Sequence, residues 1–256
     1  MSSETPVILI SGASSGIGRA AALEMASLKW RLSLSGRNEE AMAKVVHECR
    51  KAGAEDVTTT IGDLRDAAVA KDFVHHTLET FGRIDSLVNA AGILVNGTVE
   101  DSSVTDYDKQ FDVNVRSIVV LTKYALPHII ETKGTIVNVS SVAGTNAFPG
   151  VTYYCMSKAA LDQFTKCLAL EVAPKGVRVN SVNPGVIVSN IHRRSGLDDV
   201  QYEAFLEKSR ATHALGRVGE AAEVAKSIRF LVTGDSSFTT GHLLMVDGGR
   251  GIMTPR

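Results

Sequence analysis

The chain has 256 residues, with 27 Lys and Arg against 28 Asp and Glu and a formal net charge of −1. That length suits one large α/β domain or two small ones, and a charge near zero lacks the basic stripe of a nucleic-acid binder. No apolar run approaches the ~20 residues of a membrane helix; the longest candidate, 118–130, is broken by Lys123, Pro127 and His128.

The three cysteines, Cys49, Cys155 and Cys167, are odd in number and form no CxxC pair. They read as free thiols rather than as a disulfide framework or a zinc site, so no metal is expected. The opening residues 1–6 lack the basic and apolar regions of a signal peptide, and the ending, 253–256, is no recognised address. The expectation is a soluble cytoplasmic protein with neither nucleic acid nor membrane as a partner.

Apolar β-rich runs alternate with longer helical patterns along the whole chain. Strands are expected at 7–11, 31–35, 56–61, 86–89, 134–140, 178–183 and 243–247. Helices are expected at about 16–28, 39–52, 67–81, 104–130, 154–173 and 220–231. Several strand runs are unbroken Val/Ile/Leu, as in strands buried on both faces. Regular β-α alternation implies an α/β fold: one doubly wound, Rossmann-like domain over 1–256, its parallel sheet of about seven strands flanked by helices on both faces. The stretch 186–216 breaks the rhythm. It is polar, carries His192-Arg193-Arg194 and follows a strand directly. In an open α/β sheet the crevice lies beyond the strands' carboxyl ends, so this stretch is expected to overhang it as a substrate lid.

Candidate functional residues follow the same order. Gly12-Ala13-Ser14-Ser15-Gly16-Ile17-Gly18 lies between the first strand and the first helix. Glycine permits a tight turn and close approach of backbone to a pyrophosphate, and the helix N-terminus offers free N–H groups to the anion. An NAD site normally places an acid after the second strand, on the ribose 2′-hydroxyl. Here that strand runs into Gly36-Arg37-Asn38. Arg37 can pair with a 2′-phosphate, which favours NADP(H), with NAD(H) possible. Asp63, after the third strand, suits the adenine amino group, although strands often end in Asp simply as a turn former. Tyr154 and Lys158 are four apart on a helix and share a face. An ammonium beside a phenol is expected to pull its pKa toward neutrality and fit it for proton transfer.

Taken together, these segments resemble the short-chain dehydrogenase/reductase family over nearly the whole chain. The resemblance rests on Gly12-x-x-x-Gly16-Ile17-Gly18, Asn89-Ala90-Ala91-Gly92, Asn114, Ser140-Ser141, Tyr154-x-x-x-Lys158, Asn183-Pro184-Gly185 and Val246-Asp247-Gly248-Gly249. It implies Tyr154 as general acid/base, Lys158 as its electrostatic partner and ribose ligand, Ser141 as donor to the substrate oxygen, and Asn114 as the residue that bends a long helix. The cofactor surface it implies comprises Gly12, Ser14, Ser15, Gly16, Ile17, Gly18, Arg37, Asp63, Leu64, Asn89, Ala90, Gly92, Tyr154, Lys158, Pro184, Gly185, Ile187 and Ser189. Ser189 stands near the place of a threonine that bonds the carboxamide. The activity implied is hydride transfer between nicotinamide and a carbonyl or secondary alcohol. The substrate would be a small ketone, a dicarbonyl or a 3-oxoacyl thioester, and the assembly a homo-tetramer or dimer. Arg193, Arg194 and Lys208 would suit an acidic carrier. A non-catalytic NADPH sensor or an NAD-preferring alcohol dehydrogenase is the rival reading; the complete set Asn114, Ser141, Tyr154 and Lys158 favours an enzyme.

Overall fold

Each unbroken apolar run becomes a strand with both faces covered. β1 (Val7–Ser11), β4 (Ser86–Asn89) and β5 (Thr135–Val139) are buried along their full lengths. The computed structural model describes residues 5–189 and 191–253, with only the backbone at 192 and 193. The readings made from residues 1–4 and 254–256, and from the side chain of Arg193, lie outside the described residues.

In chain order, β1 leads to α1 (Gly16–Ser27), β2 (Arg31–Gly36), α2 (Glu39–Ala52), β3 (Asp56–Ile61), α3 (Ala67–Phe81) and β4. Then come α4 (Val104–Phe111), α5 (Ser117–Thr132), β5, α6 (Thr152–Val172) and β6 (Arg178–Pro184). The last part holds β7 (Ile187–Val188), α7 (Ile191–Arg194), α8 (Asp199–Arg210), β8 (Gly219–Glu220), α9 (Ala221–Val232) and β9 (Leu243–Val246). Seven strands form one parallel sheet in the order β3-β2-β1-β4-β5-β6-β9. β7 and β8 pair separately.

Side chains alternate across the sheet, so β1 feeds two cores. Ile8 and Ile10 pack with α1, α2 and α9 on one face, through Met25, Met42 and Ile228. Val7 and Leu9 pack with α3, α5 and α6 on the other, through Phe73, Leu121 and Leu168. Local chemistry sets the helix ends. Asn38 caps α2 by accepting from the Ala41 N–H, and Gly53 closes it at φ 107. Ser103 and Asp106 form a reciprocal capping box at α4.

The strand order reverses between β1 and β4, which makes their carboxyl ends the natural ligand crevice. Two expectations need correction. The stretch 104–130 is not one α-helix: a π-helical turn over Asp112–Arg116 separates α4 from α5. Such turns occur where a side chain must leave the regular ladder for another purpose, and Asn114 is that side chain. The last strand stops at Val246 rather than 247 because the Asp247 carboxylate accepts the N–H groups of Gly249 and Gly251, which turns the chain. Among the described residues, no helix is long and apolar enough to cross a membrane.

Candidate active site

The turn after β1 is built so tightly that two positions exclude any side chain. A Cβ on Gly12, which sits at φ +65, would lie 2.8 Å from the carbonyl oxygen of Ala90 and the backbone of Ala91. One on Gly18 would lie 2.5 Å from the carbonyl oxygen of Gly12. Ser11 bolts this turn to the end of β4, its Oγ accepting from the N–H groups of Ala90 and Ala91 at 3.1 and 3.2 Å. Ser15 precedes α1 without capping it by its side chain, which leaves the first N–H groups of the helix directed at the crevice. This cradle fits the pyrophosphate of a dinucleotide.

Arg37 follows β2 with its side chain 58% exposed, and its Nη1 lies 3.8 Å from Asp63 Oδ2. Arg65, which sequence reasoning passed over, binds the same carboxylate through Nε at 3.1 Å and Nη2 at 2.8 Å. These contacts hold the Asp63 carboxyl below its usual range, Arg65 being the main cause and Arg37 a lesser one. Two guanidinium groups therefore stand at the ends of β2 and β3. Some residues expected to face the cofactor turn their side chains inward. Leu64 and Ile187 belong to the two hydrophobic cores. Asn89 is fully buried and donates to Asn138 Oδ1 at 2.9 Å and Thr122 Oγ1 at 3.2 Å.

Four residues drawn from three segments gather beyond the end of β5. Asn114 is fully buried. Its Oδ1 accepts the Ile93 N–H, and its Nδ2 donates to the Ile93 carbonyl at 2.9 Å and to Ser157 Oγ at 3.0 Å. The π turn thus clamps the loop after β4 to α6. Ser141 follows β5, and its hydroxyl acts to lower the pKa of the Tyr154 phenol. Its neighbour Ser140 points instead to the carbonyl of Lys158, at 3.3 Å. Tyr154 and Lys158 lie on α6 and are 8% and 3% exposed. Tyr153, the other tyrosine, packs edge-on against Tyr107.

The expected electrostatics of this pair need correction. Burial pushes the Tyr154 phenol up to about 12, with the Ser141 hydrogen bond acting weakly the other way. Lys158 does not reach the phenolic oxygen. Its ammonium donates to the Val139 carbonyl at 2.9 Å and lies 5.7 Å from the centre of the Tyr154 ring. Burial pulls Lys158 itself down to about 8, opposed by the nearby charge of Asp162. In this low-dielectric setting desolvation outweighs the expected charge effect on the phenol. A Cβ on Gly92 would lie 3.6 Å from Lys158 Nζ and 3.5 Å from Asn114 Oδ1, so Gly92 borders this cluster at ordinary contact distance.

Pro184 and Gly185 end β6. His213 buttresses them, its Nε2 accepting the Val186 N–H at 3.1 Å and its Nδ1 bonding the Ser209 carbonyl at 2.6 Å. Burial lowers the His213 pKa, so the ring is neutral and one tautomer is fixed. Within the stretch 186–216, several described residues contact the loops at the ends of the strands. Tyr202 clasps the Ser189 backbone through both its N–H and its carbonyl, and Asn96 donates to Ser195 Oγ at 3.0 Å. Arg194 folds back to Ser15, its Nη2 3.2 Å from Oγ. It therefore faces the phosphate turn rather than an external carrier, while Lys208 is exposed on α8. Beside Ser189, a cleft of about 560 Å³ is lined by Gly16, Arg19, Val188 and Glu220. His213 and Arg65 had no sequence spacing to reveal them. Asp162, one turn beyond Lys158, did.

The glycine cradle at the β1/β4 switch point and the buried Ser/Tyr/Lys/Asn cluster belong to a chain that is similar to known proteins over nearly its whole length. A family model described as Enoyl-(Acyl carrier protein) reductase covers residues 12–250. The chain belongs to the short-chain dehydrogenase/reductase family. It is 35% identical to a meso-2,3-butanediol dehydrogenase of Serratia marcescens over 246 residues, 96% of this chain and 94% of the relative. It is 35% identical to a 3-oxoacyl-[acyl-carrier-protein] reductase of Thermotoga maritima, over 96% of this chain and 98% of the relative. A short-chain dehydrogenase/reductase of Caenorhabditis elegans, solved with cofactor, superimposes with a TM-score of 0.93 at 32% identity, covering 97% of this chain and 96% of that one. ElxO with NADP bound gives 0.88 at 32% identity, covering 96% of this chain and 99% of that one. As a short-chain dehydrogenase/reductase, this protein is an oxidoreductase that uses a nicotinamide cofactor and interconverts CH–OH and C=O groups of small molecules.

Proposed function

We propose that this oxidoreductase uses NADP(H) to interconvert a small ketone or dicarbonyl and its secondary alcohol, with a 3-oxoacyl thioester as the alternative substrate. The observation that carries this reading is the meeting of Ser141, Tyr154 and Lys158 beside Gly92, where the substrate passage would open. The bound nicotinamide supplies or accepts the hydride. Ser141 and Tyr154 hold the substrate oxygen between them, and Tyr154 gives or takes the proton at that oxygen. Ser141 steadies the developing oxyanion, a contribution of about 3 kcal/mol for a well-placed donor. Lys158 keeps positive charge close to the phenol, and Asn114 fixes the backbone that lines the passage. NADP(H) preference is supported by Arg37 and Arg65 at the ends of β2 and β3, with Arg37-Asn38 directly after β2 and no acid until Glu39.

We read 1–256 as one domain, with 186–216 as its lid. Exposed apolar side chains on α5 and α6 (Val119, Tyr124, Met156, Leu170) and near β9 (Phe238, Met245) support a homo-oligomer. Light scattering is expected to return the mass of a dimer or tetramer, and a monomer would end that reading. The decisive experiment follows NADPH absorbance with ketones, diketones and acetoacetyl thioesters. At least one class is expected to turn over, and Tyr154→Phe is expected to lower that rate by about 10²–10⁴-fold while NADPH still binds. A wild-type protein inert to every class, or a fully active Tyr154→Phe, would overturn the assignment.

A further inference from the structure

One buried acid close to the catalytic pair has no part in the chemistry above. Asp162 lies one helical turn beyond Lys158 on α6 and is 3% exposed. A carboxylate in such a place is retained only if hydrogen bonds offset its lost hydration. Asn183 provides them, its Nδ2 lying 3.1 Å from Oδ1 and 2.9 Å from Oδ2. Ser140, whose hydroxyl donates to the Lys158 carbonyl at 3.3 Å, stands beside the same carboxylate. The Asn183 amide is itself oriented, since its Oδ1 accepts from Ser181 Oγ at 2.6 Å.

The same Asn183 Nδ2 donates to the carbonyl of Ser141 at 3.0 Å. The short helical turn Val142–Gly144 that starts at Ser141 rests directly on the carboxylate. A Cβ on Gly144 would fall 2.1 Å from Asp162 Oδ2 and 3.0 Å from the Lys158 carbonyl. Within this turn Ser141 Oγ accepts the Ala143 N–H at 3.1 Å, which fixes its χ1. One side chain therefore meets both the segment that presents the Ser141 hydroxyl and the helix turn that presents Lys158.

We propose that Asp162 is a positioning residue of the catalytic centre: clasped by Asn183, its carboxylate seats the turn that carries Ser141 and sets the field at the Lys158 ammonium one helical turn away. The inference rests on the roles proposed for Ser141 and Lys158. The charges and dipoles around the ammonium are Asp162 and Tyr154 from α6, the Val139 carbonyl from β5 and the Asn114 amide from the π turn. Around the carboxylate, whose pKa burial raises, the groups that act the other way are Ser140, Asn183, Lys158 and Lys166. Asp162 is thus the negative charge that opposes loss of the Lys158 proton. Removing it makes Lys158 deprotonate at lower pH.

The test titrates Lys158 directly in the full-length protein, by NMR of protein labelled with ¹³C at lysine Cε and with Lys158→Met to identify the resonance. In wild type the midpoint is expected near 8. In Asp162→Asn it is expected to move down by about one pH unit. Asn183→Ser, which removes the amide that clasps the carboxylate and leaves Asp162 in place, serves if Asp162→Asn fails to fold, and is expected to move the midpoint down measurably. Where turnover is measurable, kcat of Asp162→Asn is expected to fall of order tenfold or more, as for a slight misplacement of reacting groups, and its alkaline limb to shift with Lys158. KM for NADPH is expected to change much less. An unmoved Lys158 midpoint in the folded variants overturns this inference whether or not a substrate is found. An inert wild type with a shifting midpoint would sink the reductase reading alone.

Discussion

Replacing Lys158 by methionine is expected to make the protein more stable and inactive at once. The ammonium, 3% exposed, is pulled from 10.5 to about 8 by burial, which at neutral pH represents roughly 3 kcal/mol held against folding. Methionine is close in volume and carries no charge to desolvate. Against that gain, the Val139 carbonyl loses its donor, at about 1 kcal/mol or somewhat more. The Asp162 carboxylate also loses the favourable field of the ammonium. The net gain is about 1 kcal/mol, or a rise in Tm of about 2–4 °C for a chain of this size.

The pH dependence is the sharper test of this reasoning. Between about 8 and 10.5 the unfolded chain still holds a proton that folded Lys158 has released. Wild-type stability therefore rises relative to Lys158→Met across that window, because the unfolded state binds more protons there. Thermal melts of both proteins from pH 6 to 10.5 are expected to show the variant ahead at neutral pH and overtaken near the alkaline end. A variant less stable than wild type by the same margin at every pH would refute the idea that burial cost dominates at Lys158.

Two further outcomes follow from the phosphate end. Arg37→Glu puts a negative charge beside Asp63 where a 2′-phosphate would lie. It is expected to raise the NADPH Kd at least tenfold, about 1.4 kcal/mol, with little effect on NADH; fluorescence titration of both would show it, and equal loss for both would argue against the preference. Arg194→Gln removes the side chain that reaches Ser15 at 3.2 Å. It is expected to weaken NADPH binding several-fold and to abolish cofactor protection of 186–216 from protease, whereas unchanged protection would show the contact to be incidental.

Most of the fold was legible because strands covered on both faces need no alternation. A run such as Val-Ile-Leu-Ile at 7–10 can only be buried. The π turn at Asp112–Arg116 was not, because 104–130 contains no glycine or proline near the break and the extra residue is demanded by the Ile93 backbone, a tertiary partner. The identities and spacings of Tyr154, Lys158, Ser141 and Asn114 could be read directly. Their electrostatics could not: proximity at i and i+4 predicts mutual stabilisation of charge, while the outcome depends on how much water the finished core removes. The reach of Arg194 to Ser15 spans 179 positions, a distance over which sequence pattern carries no information. Asp162 was within reach of the same one-turn rule that paired Tyr154 with Lys158.

The extra residue in the π turn has a consequence for the molecule as a whole. Each residue in a helix advances the facing direction by about 100°, so one supernumerary residue reorients everything that follows it. The stripe of Leu121, Ala125 and Ile129 that α5 lays on the sheet is in phase only because that residue is present. Excising it would restore an unbroken helix at the expense of swinging this stripe off the sheet. The placement of the amide that braces the loop after β4 and the phase of the stripe that α5 lays on the sheet are therefore governed by a single count of residues.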